Sequence, residues 1–191
     1  MTESTAQNST AGDWSGRMVW IDCEMTGLNP DKDALIEVAA VVTDADLNAL
    51  DDGMDAVIRP DPEALAQMPT VVREMHTASG LLAELEDGIA LESAEKKVLE
   101  YVQSWVPEAR VAPLAGNSVH ADKAFLRLGM PELTEYLHYR IIDVSTLKEL
   151  ARRWSPEVLE AAPKKTGNHR ALGDILDSIA ELKHYREHML H

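Results

Sequence analysis

The chain predicts an α/β fold: a mixed sheet covered by helices, built as one domain. Three observations carry this expectation. Two short apolar runs near the start, RMVWIDCEM (17–25) and ALIEVAAVVT (34–43), end at Gly, Pro or Asp as strands do. Later segments alternate strand-like runs with stretches of helical period, the order that suits an α/β sheet. The 191 residues, 45% of them hydrophobic, suffice for one core, and no internal repeat or linker divides them.

The elements follow in order. Residues 1–16, MTESTAQNSTAGDWSG, are polar and rich in Ser and Thr, and are expected to form a tail outside a single domain over 17–191. They lack the basic and apolar regions of a secretory signal. The two apolar runs and a third strand at Ala56–Arg59, joined through the polar DADLNALDDG turn, make an opening meander. From Leu91 to Val106 the residues Leu91, Ala94, Val98, Tyr101, Val102 and Trp105 recur at helical spacing, and Pro107 stops that helix. RVAPLAGNS (110–118) reads as a strand entering a loop, and ADKAFLRLGM (121–130) as a helix. YRIIDVSTLKELARRW (139–154) reads as a strand turning into a helix near Asp143, capped by Asp143 or by a Thr146-x-x-Glu149 box. The final helix, about Arg170 to Met189, places Leu172, Ile175, Leu176, Ile179 and Leu182 on one face.

Composition narrows the function. No run reaches the ~18 apolar residues of a membrane helix, so no membrane role is expected. The single Cys23 precludes an internal disulfide and fits a reducing cytoplasm. The net charge of −15 argues against a grip on long duplex nucleic acid, which needs a broad basic face. The charge is uneven, however: residues 1–109 hold 6 basic and 22 acidic side chains, and residues 110–191 hold 12 and 11. A short anionic substrate held by a few contacts is compatible with that distribution.

Asp22 and Glu24 raise the chemical question. On a strand they share a side with Met18 and Trp20, while Val19, Ile21 and Cys23 take the other. Two carboxylates about 7 Å apart on one strand face repel unless a cation or a shared proton intervenes. Asp122 follows GNSVHA at a strand-to-helix junction, and Asp174 lies in the first turns of the last helix, five residues after His169. Such junctions collect at one sheet edge. Acids delivered there from separate segments form a cage of hard oxygen ligands suited to Mg²⁺ or Mn²⁺.

In order and character, Asp22-x-Glu24, Asp122 and His169-x₄-Asp174 resemble the three motifs of the DEDDh 3′-to-5′ exonucleases. The blocks WIDCEMTGL, HTASGL, GNS, HYRIIDVSTLKELARRW and HYREH are similar to those of one branch, the oligoribonucleases, and the likeness runs from about Met18 to His188. The resemblance implies an RNase H-like fold, a five-stranded mixed sheet flanked by helices, with the second strand antiparallel to its neighbours. It implies removal of 5′-mononucleotides from the 3′ end of short RNA, two to five nucleotides long and dinucleotides in particular, as the last step of RNA decay.

The same resemblance implies two divalent ions, Mg²⁺ or Mn²⁺, with Asp22 bridging both. Glu24 and Asp174 would complete the site of the ion that activates water, and Asp122 would serve the second. His169 would be the general base, since an imidazole near its ordinary pKa is neutral at pH 7. Leu28 would pack on a base. The position five residues before His76, where many family members carry Trp, holds Val71, so an aromatic wedge is missing there. Ser118, Arg140 and Ser145 would cap the 5′-phosphate, with His76 and Tyr139 contributed by the partner subunit of a homodimer. Arg140 can grip phosphate bidentately, and Ser145 lies near a helix start, where N–H groups favour anions. Asp177 and His120 lie close to motif residues without matching a motif position, and Trp105 and Cys23 read as core. Two rivals stand beside this reading: a DEDDh exonuclease acting on long chains, and a binding module without catalysis.

Overall fold

A computed structural model describes residues 16–167 and 169–190, so the expected tail, apart from Gly16, lies outside the described residues. Strands β1 (Met18–Met25), β2 (Leu35–Thr43) and β3 (Met54–Val57) form the meander, and β4 (Pro113–Gly116) and β5 (His138–Asp143) complete the sheet. The order is β3-β2-β1-β4-β5. β2 runs antiparallel to both β1 and β3, whereas β1, β4 and β5 are parallel. This is the five-stranded mixed sheet expected.

Alternation along β1 divides the core into two layers. Val19, Ile21 and Cys23 pack with Val38, Ala40 and Val42 of β2 beneath α4 (Leu91–Trp105), α5 (His120–Gly129) and α6 (Pro131–Tyr136). Trp20, Ala39 and Val41 face α7 (Val144–Trp154) and α9 (Ala171–Met189) on the other side. Trp20 is fully buried, and its indole N–H donates to Thr43 Oγ1 at 3.0 Å. β2 is buried along its whole length, as a strand flanked by two neighbours and covered on both faces must be. A smaller cluster of Ile36, Met68, Leu81 and Leu85 lies at α1 (Pro62–Gln67), α2 (Thr70–Ala78) and α3 (Leu81–Glu84). The short helix α8 (Pro156–Glu160) packs against α7 and α9.

The structure revises three details and decides between two expected caps. β3 lies two residues earlier than expected, because Met54 to Val57 pair with Ala40 to Glu37 and Ile58 instead bridges Ile89. The helices α1 to α3, α6 and α8 were not expected; each spans nine residues or fewer, too short for a helical period to be read from the sequence. On α9, Leu176 is 51% exposed, and its place in the buried face is taken by Ala171, Ser178, Glu181 and Tyr185. Asp143, rather than the Thr146/Glu149 box, caps α7, accepting the Ser145 N–H at 3.0 Å. Trp105 does pack on the core, with its N–H donated to Asp51.

Candidate active site

The two acids of β1 lie on the α9 side of the sheet, toward the strand's C-terminal end. Asp174, in the first turn of α9, meets them there: one oxygen from each of Asp22, Glu24 and Asp174 lies within 4.8 Å of the others. Asp122, in the first turn of α5, reaches the same edge from beneath the sheet. Its Oδ1 accepts the Cys23 N–H at 3.0 Å, tying the carboxylate to the strand between the two acids.

Among the described residues no lysine or arginine is bonded to these four carboxylates, His76 Nδ1 lies 3.9 Å from Glu24 Oε2, and burial governs the electrostatics of the group. Desolvation, with repulsion from Asp122, Asp174 and Glu24, pushes Asp22 up to about 9. Burial, then Asp174 and Glu37, pushes Glu24 up to about 8, and burial raises Asp122 to about 7. Asp174 is also raised by burial, with Lys165 and His169 acting in the opposite direction. Four carboxylates that resist ionisation together are a donor set lacking only positive charge. Oxygen-only ligands this close fit hard divalent cations.

His169 lies on the exposed segment just before α9, at a left-handed φ of 50°. It lines a cleft of about 580 Å³ with Met75, Ala78, Ser79, Gly167 and Arg170. Asp177 is engaged by the preceding segment: its Oδ2 accepts the Thr166 N–H at 2.6 Å and the Thr166 hydroxyl at 2.9 Å.

His76 departs from expectation. Its side chain is 0% exposed, its Nε2 is 2.9 Å from the Met25 carbonyl, and its Nδ1 is 3.9 Å from Glu24 Oε2. A ring enclosed by its own chain does not project across a subunit boundary, so the partner-cap assignment is corrected. His76 belongs beside Glu24 of its own chain, where its buried Nδ1 has no hydrogen-bond partner among the described residues.

Leu28 projects at the tip of the loop after β1, 91% exposed. The loop is internally bonded: Thr26 N–H donates to Ala34 O, Ala34 N–H to Thr26 Oγ1, and Asn29 N–H to Asp33 Oδ2. Asp33 lies directly over Gly27, where a Cβ would come within 2.4 Å of its Oδ2. Val71 is also exposed, on the first turn of α2.

Ser118 and Ser145 meet with their hydroxyls 3.0 Å apart. Asp143 Oδ1 accepts both backbone N–H groups, at 2.9 and 3.0 Å, and Asn117 Oδ1 accepts the Ser145 hydroxyl. The Ser145 N–H, expected to favour an anion, is therefore committed to Asp143. Arg140 and Tyr139 lie on the exposed edge strand β5, the guanidinium 5.3 Å from the tyrosine ring. His120 opens α5, exposed and 3.4 Å from Asp143, and lines the same cleft as the two serines. Cys23 is buried on the sheet face away from the acids.

The residues that sequence reasoning missed hold these groups in place. Glu37, the cross-strand partner of Glu24, is buried and binds Arg170 and the N–H of Ala171. Its signal was visible in LIEVAAVVT, where it is the lone acid of a wholly apolar strand. Glu181, buried on α9, accepts from Asn117, Tyr185 and Lys148.

Comparison with known proteins agrees with this geometry. Residues 19–182 match the exonuclease family model. The oligoribonuclease of Streptomyces coelicolor is 63% identical over 90% of this chain and 86% of its own length. That of Tropheryma whipplei is 51% identical over 91% and 93%. Among solved structures, exonuclease I of Methylocaldum szegediense (TM-score 0.65, 18% identity) and of E. coli with a dA16 oligonucleotide (TM-score 0.71, 14% identity) share the fold over 91% of this chain. The chain spans about two fifths of those longer exonucleases, 41% of each. The chain belongs to the exonuclease family and, within it, to the oligoribonucleases.

Proposed function

We propose that this protein is a 3′-to-5′ exoribonuclease that hydrolyses short single-stranded RNA, dinucleotides in particular, to 5′-mononucleotides. The observation that carries the proposal is the convergence of Asp22, Glu24 and Asp174 within 4.8 Å, with Asp122 fixed behind them. These carboxylates would hold two divalent cations, Mg²⁺ or Mn²⁺, Asp22 serving both, with Glu24 and Asp174 completing one site and Asp122 the other. Bound there, the cations would stabilise the charge on the attacking and leaving oxygens of the scissile phosphate.

The chain's own residues supply the rest. His169 at the cleft rim takes the proton of the attacking water as the new P–O bond forms. The bond to the 3′-oxygen breaks, that oxygen takes a proton from solvent water to become the free 3′-hydroxyl of the shortened strand, and the released nucleotide keeps the 5′-phosphate. Leu28, on its fixed loop, packs against a base. The Ser118 and Ser145 hydroxyls receive the 5′-phosphate and Arg140 adds charge, so the site closes after about two nucleotides. Such a substrate carries few phosphates, which reconciles nucleic-acid chemistry with an acidic chain.

We further propose a homodimer in which Tyr139, 73% exposed on edge strand β5, reaches the partner's 5′-phosphate site. The exposed Ile141 on the same strand supports a buried interface there. The lone Cys23 suits a reducing cytoplasm. Among the described residues, no helix is long and apolar enough to cross a membrane.

The test is turnover of 5′-labelled RNAs of two, five and twenty nucleotides with Mn²⁺. A steep preference for the shortest is expected, and equal rates at all lengths refute the closed site. Asp22→Ala retaining hydrolysis refutes the metal assignment. A monomer by sedimentation, fully active on dinucleotides, removes the role given to Tyr139.

A further inference from the structure

The segment that carries His169 is costly to hold. Both Gly167 (φ 64°) and His169 (φ 50°) adopt left-handed backbone, and for histidine that conformation persists only where its surroundings impose it. What imposes it is visible on the residue that follows. The Arg170 Nε–H donates to Oε1 of buried Glu37 of β2 at 2.9 Å, and Nη2 forms an ion pair with the same oxygen at 2.8 Å. It also donates to Glu84 of α3, Nη1 to Oε1 at 2.9 Å and Nη2 to Oε2 at 3.0 Å. Glu37 Oε2 meanwhile accepts the Ala171 N–H at 3.0 Å, pinning the first turn of α9. Upstream, Asp177 holds Thr166. The histidine thus sits on a short bridge fixed at both ends.

We propose that Arg170 is a positioning residue for His169: it clamps the C-terminal side of the histidine to β2 and α3 and thereby aims the imidazole at the attacking water. This rests on the reading of His169 as general base. The planar fork is what lets one side chain engage carboxylates on two separate segments. A lysine, a point charge, can neutralise Glu37 but cannot hold both. Charge balance alone would tolerate Lys, whereas positioning does not.

The experiment measures kcat and KM for a dinucleotide at saturating Mn²⁺ in Arg170→Lys and Glu84→Gln, each made in the wild-type and His169→Ala backgrounds. Circular dichroism confirms that the variants are folded. Glu84→Gln alters a partly exposed side chain and leaves the buried Glu37–Arg170 pair, so it reports even if Arg170 variants fold poorly. A misplacement of about 1 Å can cost ~10²-fold in rate, so losing one of two anchors is expected to lower kcat by about tenfold with KM unchanged. In the His169→Ala background the same substitutions should change nothing further. Wild-type kcat in both variants, or an equal loss in the His169→Ala background, overturns the positioning role alone. Full activity of His169→Ala overturns the general-base reading and this inference with it.

Discussion

Replacing Asp22 by Asn should stabilise the cation-free protein, and by an amount that grows with pH. In the unfolded chain Asp22 ionises near 3.8, whereas in the folded chain burial and three neighbouring acids raise it to about 9. Between those values the native state holds a proton that the unfolded state has released, so wild-type stability falls as pH rises, by about 1.4 kcal/mol per pH unit for one group. That contribution is fully present below the unfolded pKa and lost on the way up to the folded one. The amide of the variant does not titrate. Between about pH 5.5 and about pH 7.5 the advantage of Asp22→Asn should therefore widen by about 3 kcal/mol. For a domain of this size that is ~5–10 °C in Tm. Thermal unfolding by circular dichroism with EDTA at the two pH values reads it directly. Saturating Mn²⁺ should flatten the wild-type dependence, because the cation replaces the proton as the neutralising charge. An advantage that is the same at both pH values, or a variant less stable than the wild type, refutes the claim that these carboxylates repel one another in a buried cage.

Other expectations concern the substrate side. Leu28→Ala should leave Tm within about 1 °C, since the side chain is exposed, while raising KM for dinucleotides several-fold. Gly27→Ala should reproduce that kinetic defect with Leu28 still present, because the new methyl displaces Asp33 and shifts the loop; unchanged KM would show the loop is not the platform for Leu28. Asp143→Ala removes the cap of α7 and frees both serine N–H groups. It should cost about 1 kcal/mol by denaturant unfolding and flatten the rate difference between two- and five-nucleotide RNAs. An intact length preference would exclude Asp143 from organising the serines.

How much was legible in the sequence follows from what is local and what is not. The facing of Asp22 and Glu24 was readable because strand alternation has a period of two, and Trp20 and Ile21 fall on the opposite faces that this period assigns. Asp122 and Asp174 were readable as motif members, though their convergence is a property of the sheet edge. Leu176 was misplaced because helical spacing alone does not say how far a buried stripe extends; Ser178 and Glu181 are buried in a polar network that hydrophobic periodicity does not register. The enclosure of His76 was hidden for the same reason: it is the only buried residue of α2, and a buried histidine does not register in a hydrophobic period. Arg170 lies 133 positions from Glu37 and 86 from Glu84, beyond any local signal.

The alternation of β1 carries an evolutionary consequence. Asp22 and Glu24 owe their face to a register locked by β2 on one side and β4 on the other. Apolar exchanges of similar volume around them leave that facing intact, yet inserting or deleting one residue between Trp20 and Asp22 would swing both acids into the layer of Val38, Val98 and Phe125. Such a change would destroy the site and the core in one step. Descendants of this chain can thus exchange one apolar residue for another of similar size along β1 but cannot change its length.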